Sequence, residues 1–285
     1  MIEGLSVDWN QLKARLDELY DTYDKRYLDT DPLQFVHQYE DPADREIVGL
    51  VASCLAYGNV KSIIKDVGEV LGRMGESPHR FVCDFDYARE AHVFDGFYHR
   101  FNRGEDIALL CRMVAEVLKQ ERSLGAAFEK GYLGEANIGL ALIRFVDRLL
   151  SCENGRLPAD HTVHYLLPSP AKGSACKRLN LYLRWMIRPA DGLDLGLWTG
   201  MSPSALIMPV DTHIARISRQ IRLTARKSAD WKMAVEITSA LKQIDSDDPI
   251  RYDFSLCRLG ILDECPTQQN SEICGSCMIR DICRL

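Results

Sequence analysis

No run of apolar residues in this chain approaches the roughly 18 to 20 that a bilayer-spanning helix needs, and its N-terminus carries no basic stretch followed by an apolar one. Both absences speak against a membrane protein and against a secretory leader, and set the expectation of a cytoplasmic protein. Alternation of apolar and polar residues, the mark of half-buried strands, is scarce, and there is neither an internal repeat nor a low-complexity segment. Positive charge is in deficit. With Lys+Arg at 35 and Asp+Glu at 41 the net charge is −6, which argues at first against a nucleic-acid partner, because phosphate binding needs positive charge facing the ligand.

What is present is a chain of 285 residues, 46% hydrophobic, long enough to bury a core as one large domain or two intimately packed ones. Apolar residues recur at intervals of three and four almost everywhere, as in Trp9, Leu12, Leu16, Leu19, Tyr20 and Tyr23, and in Val60, Ile63, Ile64, Val67, Val70, Leu71 and Met74. That periodicity predicts helices there and over about Arg45–Leu55, Asp106–Leu118, Ile138–Leu150, Ala175–Ile187, Thr212–Ile221, Trp231–Leu241 and Ile250–Leu259. Breaks rich in Pro, Gly, Asp or Ser fall at Asp29–Pro32, Gly75–Pro78, Asn154–Pro158, Pro168–Gly173 and Pro189–Pro209. The expected fold is all-α, with a cysteine module appended at the C-terminus.

That module is Cys265, Cys274, Cys277 and Cys283, in the pattern C-x8-C-x2-C-x5-C, where there is little apolar material to bury. Four thiolates can hold a zinc ion or a [4Fe-4S] cluster, and either supplies ordering free energy that the segment Pro266–Ser271 cannot. A single C-x2-C flanked by one distant and one near cysteine favours the cluster, because zinc sites built from four cysteines usually pair two C-x2-C knuckles. A disulfide pair is the plainer alternative. The other six cysteines, Cys54, Cys83, Cys111, Cys152, Cys176 and Cys257, sit singly on helix-like patterns and read as reduced, buried thiols.

The distribution of charge qualifies its sum. From Lys172 to Arg188 there are Lys172, Lys177, Arg178, Arg184 and Arg188 and no acid, and a second acid-free stretch holds Arg216, Arg219, Arg222, Arg226 and Lys227. Two such stretches polarise the surface of an acidic protein, unless they are simply solvated helix faces. The segment Pro209-Val210-Asp211-Thr212-His213-Ile214 sets a carboxylate just before a basic amphipathic helix. Such a carboxylate can stabilise positive charge on a sugar ring or take a proton from an attacking group; it can equally be an ordinary helix cap.

The Val-Asp-Thr-His-Ile segment, the basic helix after it and the terminal cysteines together resemble the endonuclease III branch of the helix-hairpin-helix DNA glycosylases. Gly173-Ser174-Ala175-Cys176-Lys177 is similar to that family's hairpin turn, with Ala175 at the second glycine, and Leu50 to Val60 resembles the helix end and loop that fills the gap left by an extruded base. Lys177 and Asp211 stand thirty-four residues apart, an interval similar to that of the archaeal 8-oxoguanine glycosylases.

The resemblance implies a two-lobed glycosylase fold, with residues 32–190 as one helical domain and residues 1–31 with 191–285 as the other, carrying the iron-sulfur module. It implies a base-excision enzyme that works on damaged double-stranded DNA in the bacterial nucleoid, as a monomer and away from membranes. Lys177 and Asp211 would be catalytic, Lys177 forming a Schiff base that permits strand cleavage. Lys172, Gly173, Arg178, Arg216 and Arg219 would contact phosphates, while Tyr57 and Asn59 would be the wedge. Tyr98, Phe101 and Trp198 are aromatics that stack on a base or, as helix-stripe aromatics more often do, lie in the core. A non-catalytic DNA-binding protein and a zinc-stapled helical interaction module are the other readings.

Overall fold

The computed structural model describes residues 7–152, 157–158 and 160–284. Its helices run in the order α1 (Trp9–Thr22), α2 (Pro42–Cys54), α3 (Val60–Met74), α4 (Pro78–Asp84), α5 (Tyr87–Glu90), α6 (Gly104–Leu118) and α7 (Leu124–Gly131). They continue as α8 (Gly139–Ser151), α9 (Val163–Leu166), α10 (Lys177–Ile187), α11 (Thr212–Gln220), α12 (Trp231–Leu241), α13 (Asp253–Ile261) and α14 (Ser271–Gly275). Short 3-10 turns join several of them, and one hairpin of two-residue strands, β1 (Tyr98–His99) and β2 (Asn102–Arg103), interrupts the helices. The chain is mostly helical, in keeping with an all-α fold. Among the described residues no helix is long and apolar enough to cross a membrane.

Local chemistry sets most of the helix starts. Asp8, Asp41, Asn59, Ser123, Asp211 and Asp230 each place a side-chain oxygen on a backbone N–H of the first turn. Pro78 falls in a segment expected to be a break, yet it opens α4, because proline suits the first helical position and Ser77 caps it. The helix α7 carries too short a periodic pattern to stand out in the sequence, and the hairpin is too brief to show alternation. Of the expected break at Asn154–Pro158, only Leu157 and Pro158 are among the described residues.

One helix organises the interior. Leu179, Tyr182, Leu183, Trp185 and Met186 of α10 are all 1% exposed or less, so this helix is apolar around most of its circumference, and α2 packs along it. Burying side chains of that size contributes roughly 1.5 to 3 kcal/mol each. Elsewhere α7 packs on α8 and α11 on α13. The last contact is close: a Cβ at Gly260 would come within 2.3 Å of the His213 ring, so only glycine lets α13 approach the start of α11.

A buried ion network ties α10 to the rest. Arg184 Nε lies 3.1 Å from Asp194 and its other arm meets Asp253 at the start of α13, while Arg188 reaches Asp194 and Asp248. Arg184, Asp194 and Asp253 are each 2% exposed. Such a network is costly to desolvate but still more costly to break one partner at a time.

Candidate active site

The N-terminus of α10 opens into a cleft of about 870 Å³, inside the range of roughly 300 to 1,000 Å³ usual for small-ligand sites. The chain enters α10 through a constrained turn: Gly173 is left-handed at φ +77, and Cys176, the residue before the helix, is left-handed at φ +49 without being glycine. Strained backbone of this kind persists only where the surroundings over-determine it. Here it delivers Lys177 to the cleft wall, where Nζ donates to the Ala56 carbonyl, 3.1 Å away, just past the end of α2.

Asp211 faces the same cleft from the start of α11, and its two oxygens have different work. Oδ1 accepts from the Ile214 amide at 2.8 Å, capping the helix, while Oδ2 receives the Cys257 thiol at 3.7 Å. The cap and the site are thus the same residue. Asp253 and Cys257, four residues apart on one face of α13, complete the group. Burial raises the Asp253 carboxyl to about 6, against the pull of Arg184 and with a further push from Asp211. Burial, then Asp211 and Asp253, holds the Cys257 thiol well above its ordinary value, so it is a proton-bearing donor at neutral pH. Both Asp253 and Cys257 feel the field of Lys177, although Lys177 and Asp211 do not themselves form an ion pair. An amine, two carboxylates and a thiol therefore share one concave site.

Asp253 and Cys257 were not singled out in the sequence as site residues. The available signal was their spacing, an aspartate and a cysteine at i and i+4 on one helix.

Several expected DNA contacts stand elsewhere. Arg178 is 8% exposed, its guanidinium donating to the Cys54 carbonyl at 3.0 Å and to that of Tyr165, and lying over the rings of Tyr57 and Tyr165. It lines the cleft beside Lys177, but both guanidinium arms are engaged by backbone carbonyls, and burial lowers its pKa. Arg216 donates to Cys265 Sγ at 3.0 Å and to the Pro266 carbonyl at 2.8 Å, so it serves the cysteine module. The Gly173 amide is spent on the Pro170 carbonyl at 2.9 Å and is closed to phosphate. Lys172 and Arg219 are exposed, outside the cleft lining.

The expected wedge is also held in place. Tyr57 lines the cleft, but its hydroxyl is committed to the His99 carbonyl at 2.9 Å and Asn102 Oδ1 at 2.6 Å, and Asn59 caps α3. Trp198 is core, its indole N–H donating to buried Glu46 at 2.6 Å. Tyr98 and Phe101, by contrast, are 59% and 55% exposed.

None of the four C-terminal cysteines takes part in a disulfide. They lie near one another: Cys265 is raised by burial and further by Cys283 and Cys274, and Cys277 by burial and by the other three, with Arg216 opposing at Cys265. Among the described residues, however, no three or more His, Cys, Asp or Glu side chains take an arrangement that could hold a metal ion. The module docks on the body through Asp281 with Arg15 at 2.8 Å and through the Arg284 amide on the Gln220 carbonyl at 3.1 Å. Of the remaining cysteines, Cys54, Cys111 and Cys176 are buried as expected, but Cys152 and Cys257 are only half-buried and Cys83 is exposed.

No curated protein and no solved structure matches the chain. The resemblance to the helix-hairpin-helix glycosylases is overturned by the family comparison, which finds a different family and no glycosylase model. Its physical basis was local: a turn with one glycine and a lysine, an aspartate cap and a cysteine spacing are each common enough to arise on unrelated helical chains. The matching model spans residues 31–262, taking in Lys177, Asp211, Asp253 and Cys257 and ending before Cys265. The chain belongs to the family described as a protein of unknown function, DUF2400.

Proposed function

We propose that this cleft excises damaged bases from double-stranded DNA, with Lys177 as nucleophile and Asp211 as the carboxylate that manages its proton and the charge on the sugar. The observation that carries the reading is the meeting of the Lys177 amine with Asp211, Asp253 and the Cys257 thiol in one cleft of nucleobase-accommodating volume.

The chemistry follows from these groups. The C1′–N bond of the flipped nucleotide breaks and the base leaves with the electron pair, taking up a proton from water, while Lys177 bonds to C1′ and then gives up its own proton to Asp211. The Asp211 carboxylate stabilises the oxocarbenium-like charge that develops as the base departs. Ring opening gives an imine between Nζ and C1′, and loss of a C2′ proton then expels the 3′ phosphate by β-elimination. Extruding the base costs a few kcal/mol of stacking and pairing, least where the base is damaged. The cleft draws on both proposed lobes, Lys177 from residues 32–190 and Asp211 with Asp253 from residues 191–285.

The C-terminal module would hold a [4Fe-4S] cluster, or zinc, on Cys265, Cys274, Cys277 and Cys283. The described thiols are not arranged to hold a metal ion, so the support is the donor set alone, four sulfurs with an arginine N–H on one of them, and loading would have to draw them together. Four protein ligands leave no open position, so the group would order the segment and take no part at Lys177.

Borohydride trapping tests the reading. Duplexes carrying 8-oxoguanine, an oxidised pyrimidine, uracil or an abasic site are incubated with the protein and with Lys177→Gln. A covalent adduct that needs Lys177 establishes the nucleophile and names the lesion. Base release without an adduct would assign the chemistry to Asp211 and water, and neither on any duplex would refute excision.

A further inference from the structure

The hairpin β1–β2 stands at the rim of the cleft with two large aromatic side chains in water. Its register pairs Tyr98 with Arg103 and His99 with Asn102, leaving Arg100 and Phe101 as a two-residue tip with Arg100 left-handed at φ +53. Tyr98 and Phe101 are 59% and 55% exposed, while His99 and Asn102 are 0%. The hairpin therefore has a wet face and a buried one.

The inner face is bolted down. His99 Nδ1 lies 2.7 Å from buried Asp66 and Nε2 lies 3.1 Å from the Tyr57 carbonyl; Asn102 donates to Asp106 at 3.0 Å and to the Thr162 carbonyl at 2.9 Å. A tip this firmly based presents its outer aromatics with little conformational freedom left to lose on binding. The outer face is also cationic, with Arg100 5.6 Å from the Phe101 ring, Arg103 5.6 Å from that of Tyr98, and no acid from Tyr98 to Arg103.

The tip leads into the cleft. Phe101 meets Tyr165 edge-on at 5.3 Å and Tyr165 meets Tyr57 at 4.9 Å, and the last two line the cleft. Arg100 folds over the loop beside them: a Cβ at Gly58, itself at φ +102, would come within 2.8 Å of its Cδ.

We propose that Phe101, flanked by Arg100, enters the DNA stack beside the excised nucleotide and stacks on a neighbouring base, so that the hairpin holds the duplex open while the target occupies the cleft. Rings bracketed by arginine, with no acid between, suit nucleobases flanked by phosphates, since every base offers a π-face whatever its identity. The inference rests on the base-excision reading and gives that site its second contact with DNA.

The test uses the full chain with Phe101→Ala and Phe101→Trp, and a duplex with 2-aminopurine next to an abasic-site analogue. Wild type should bind with a fall in 2-aminopurine fluorescence, because stacking against the ring quenches it. Phe101→Ala should bind at least tenfold more weakly with no fall, and Phe101→Trp should restore both. Because Phe101 is at the surface, all three should unfold at the same temperature. Wild type should also be trapped by borohydride on a duplex with a natural abasic site, which reports Lys177 independently of the hairpin. Equal binding and fluorescence for wild type and Phe101→Ala would refute the hairpin's role and leave excision standing, whereas wild type that neither binds nor traps would end both.

Discussion

The Cys257 thiol and Asp211 Oδ2 lie 3.7 Å apart, joining α13 to the carboxylate that caps α11. The contact is possible because Gly260, one turn on, lets the two helices close on each other. It makes Asp211 a residue with two separable duties.

Asparagine caps helices about as well as aspartate. Asp211→Asn should therefore leave thermal stability nearly unchanged while lowering base release by about 10²- to 10⁴-fold, the usual worth of a positioned proton-transfer group. Asp211→Ala should lose the same activity and in addition about 1 kcal/mol of stability. Equal activity in wild type and Asp211→Asn, measured beside urea unfolding, would reduce Asp211 to a cap.

Arg184 answers two buried carboxylates at once, Asp194 and Asp253. Replacing it with methionine strands buried charge, and should cost about 3 to 5 kcal/mol in urea unfolding. A loss near zero would mean that the carboxylates find water or protons at no expense.

Asp253 gives the molecule a pH dependence of known sign. Its carboxyl is raised from 3.8 to about 6, chiefly by burial, so the folded state holds the proton more tightly than the unfolded chain. The stability this contributes is full below about 3.8 and is lost as pH rises through about 6. Between those values wild type should lose stability relative to Asp253→Asn, with a slope approaching about 1.4 kcal/mol per pH unit. Parallel curves for the two proteins would show that Asp253 stays ionised throughout.

Burial and two carboxylates hold the Cys257 thiol protonated, whereas Cys83 is exposed. Brief iodoacetamide treatment at neutral pH, read by peptide mass spectrometry, should modify Cys83 and spare Cys257 until denaturant is added. Early labelling of Cys257 would mean a thiolate at the cleft, and would recast it as a nucleophile.

For the C-terminal module, iron, sulfide and zinc analysis of the purified protein tests the proposed cluster, and stoichiometric iron and sulfide, or zinc, is the expected result. Cys274→Ser with Cys283→Ser should lose it and become sensitive to protease beyond Leu262, while the body stays resistant. An identical digest with and without the four-thiol set would show that packing through Asp281 and Arg284 suffices to order the segment.

The sequence by itself determined the helices, because helical hydrogen bonds and caps are local: α3 and α12 run over the very residues whose spacing predicts them, and Asp211 reads as a cap before any fold is known. Lys177 was joined with Asp211 only through a likeness to another family, and it is the structure that sets both on one cleft. Tertiary structure alone decided which face of each element meets water and what crosses each gap. It buried Arg178 between two tyrosines, turned Arg216 to the cysteines, brought Asp253 and Cys257 to Lys177, and left Phe101 in solvent. Those outcomes depend on contacts between residues far apart in the chain, and spacing within one helix carries no record of them.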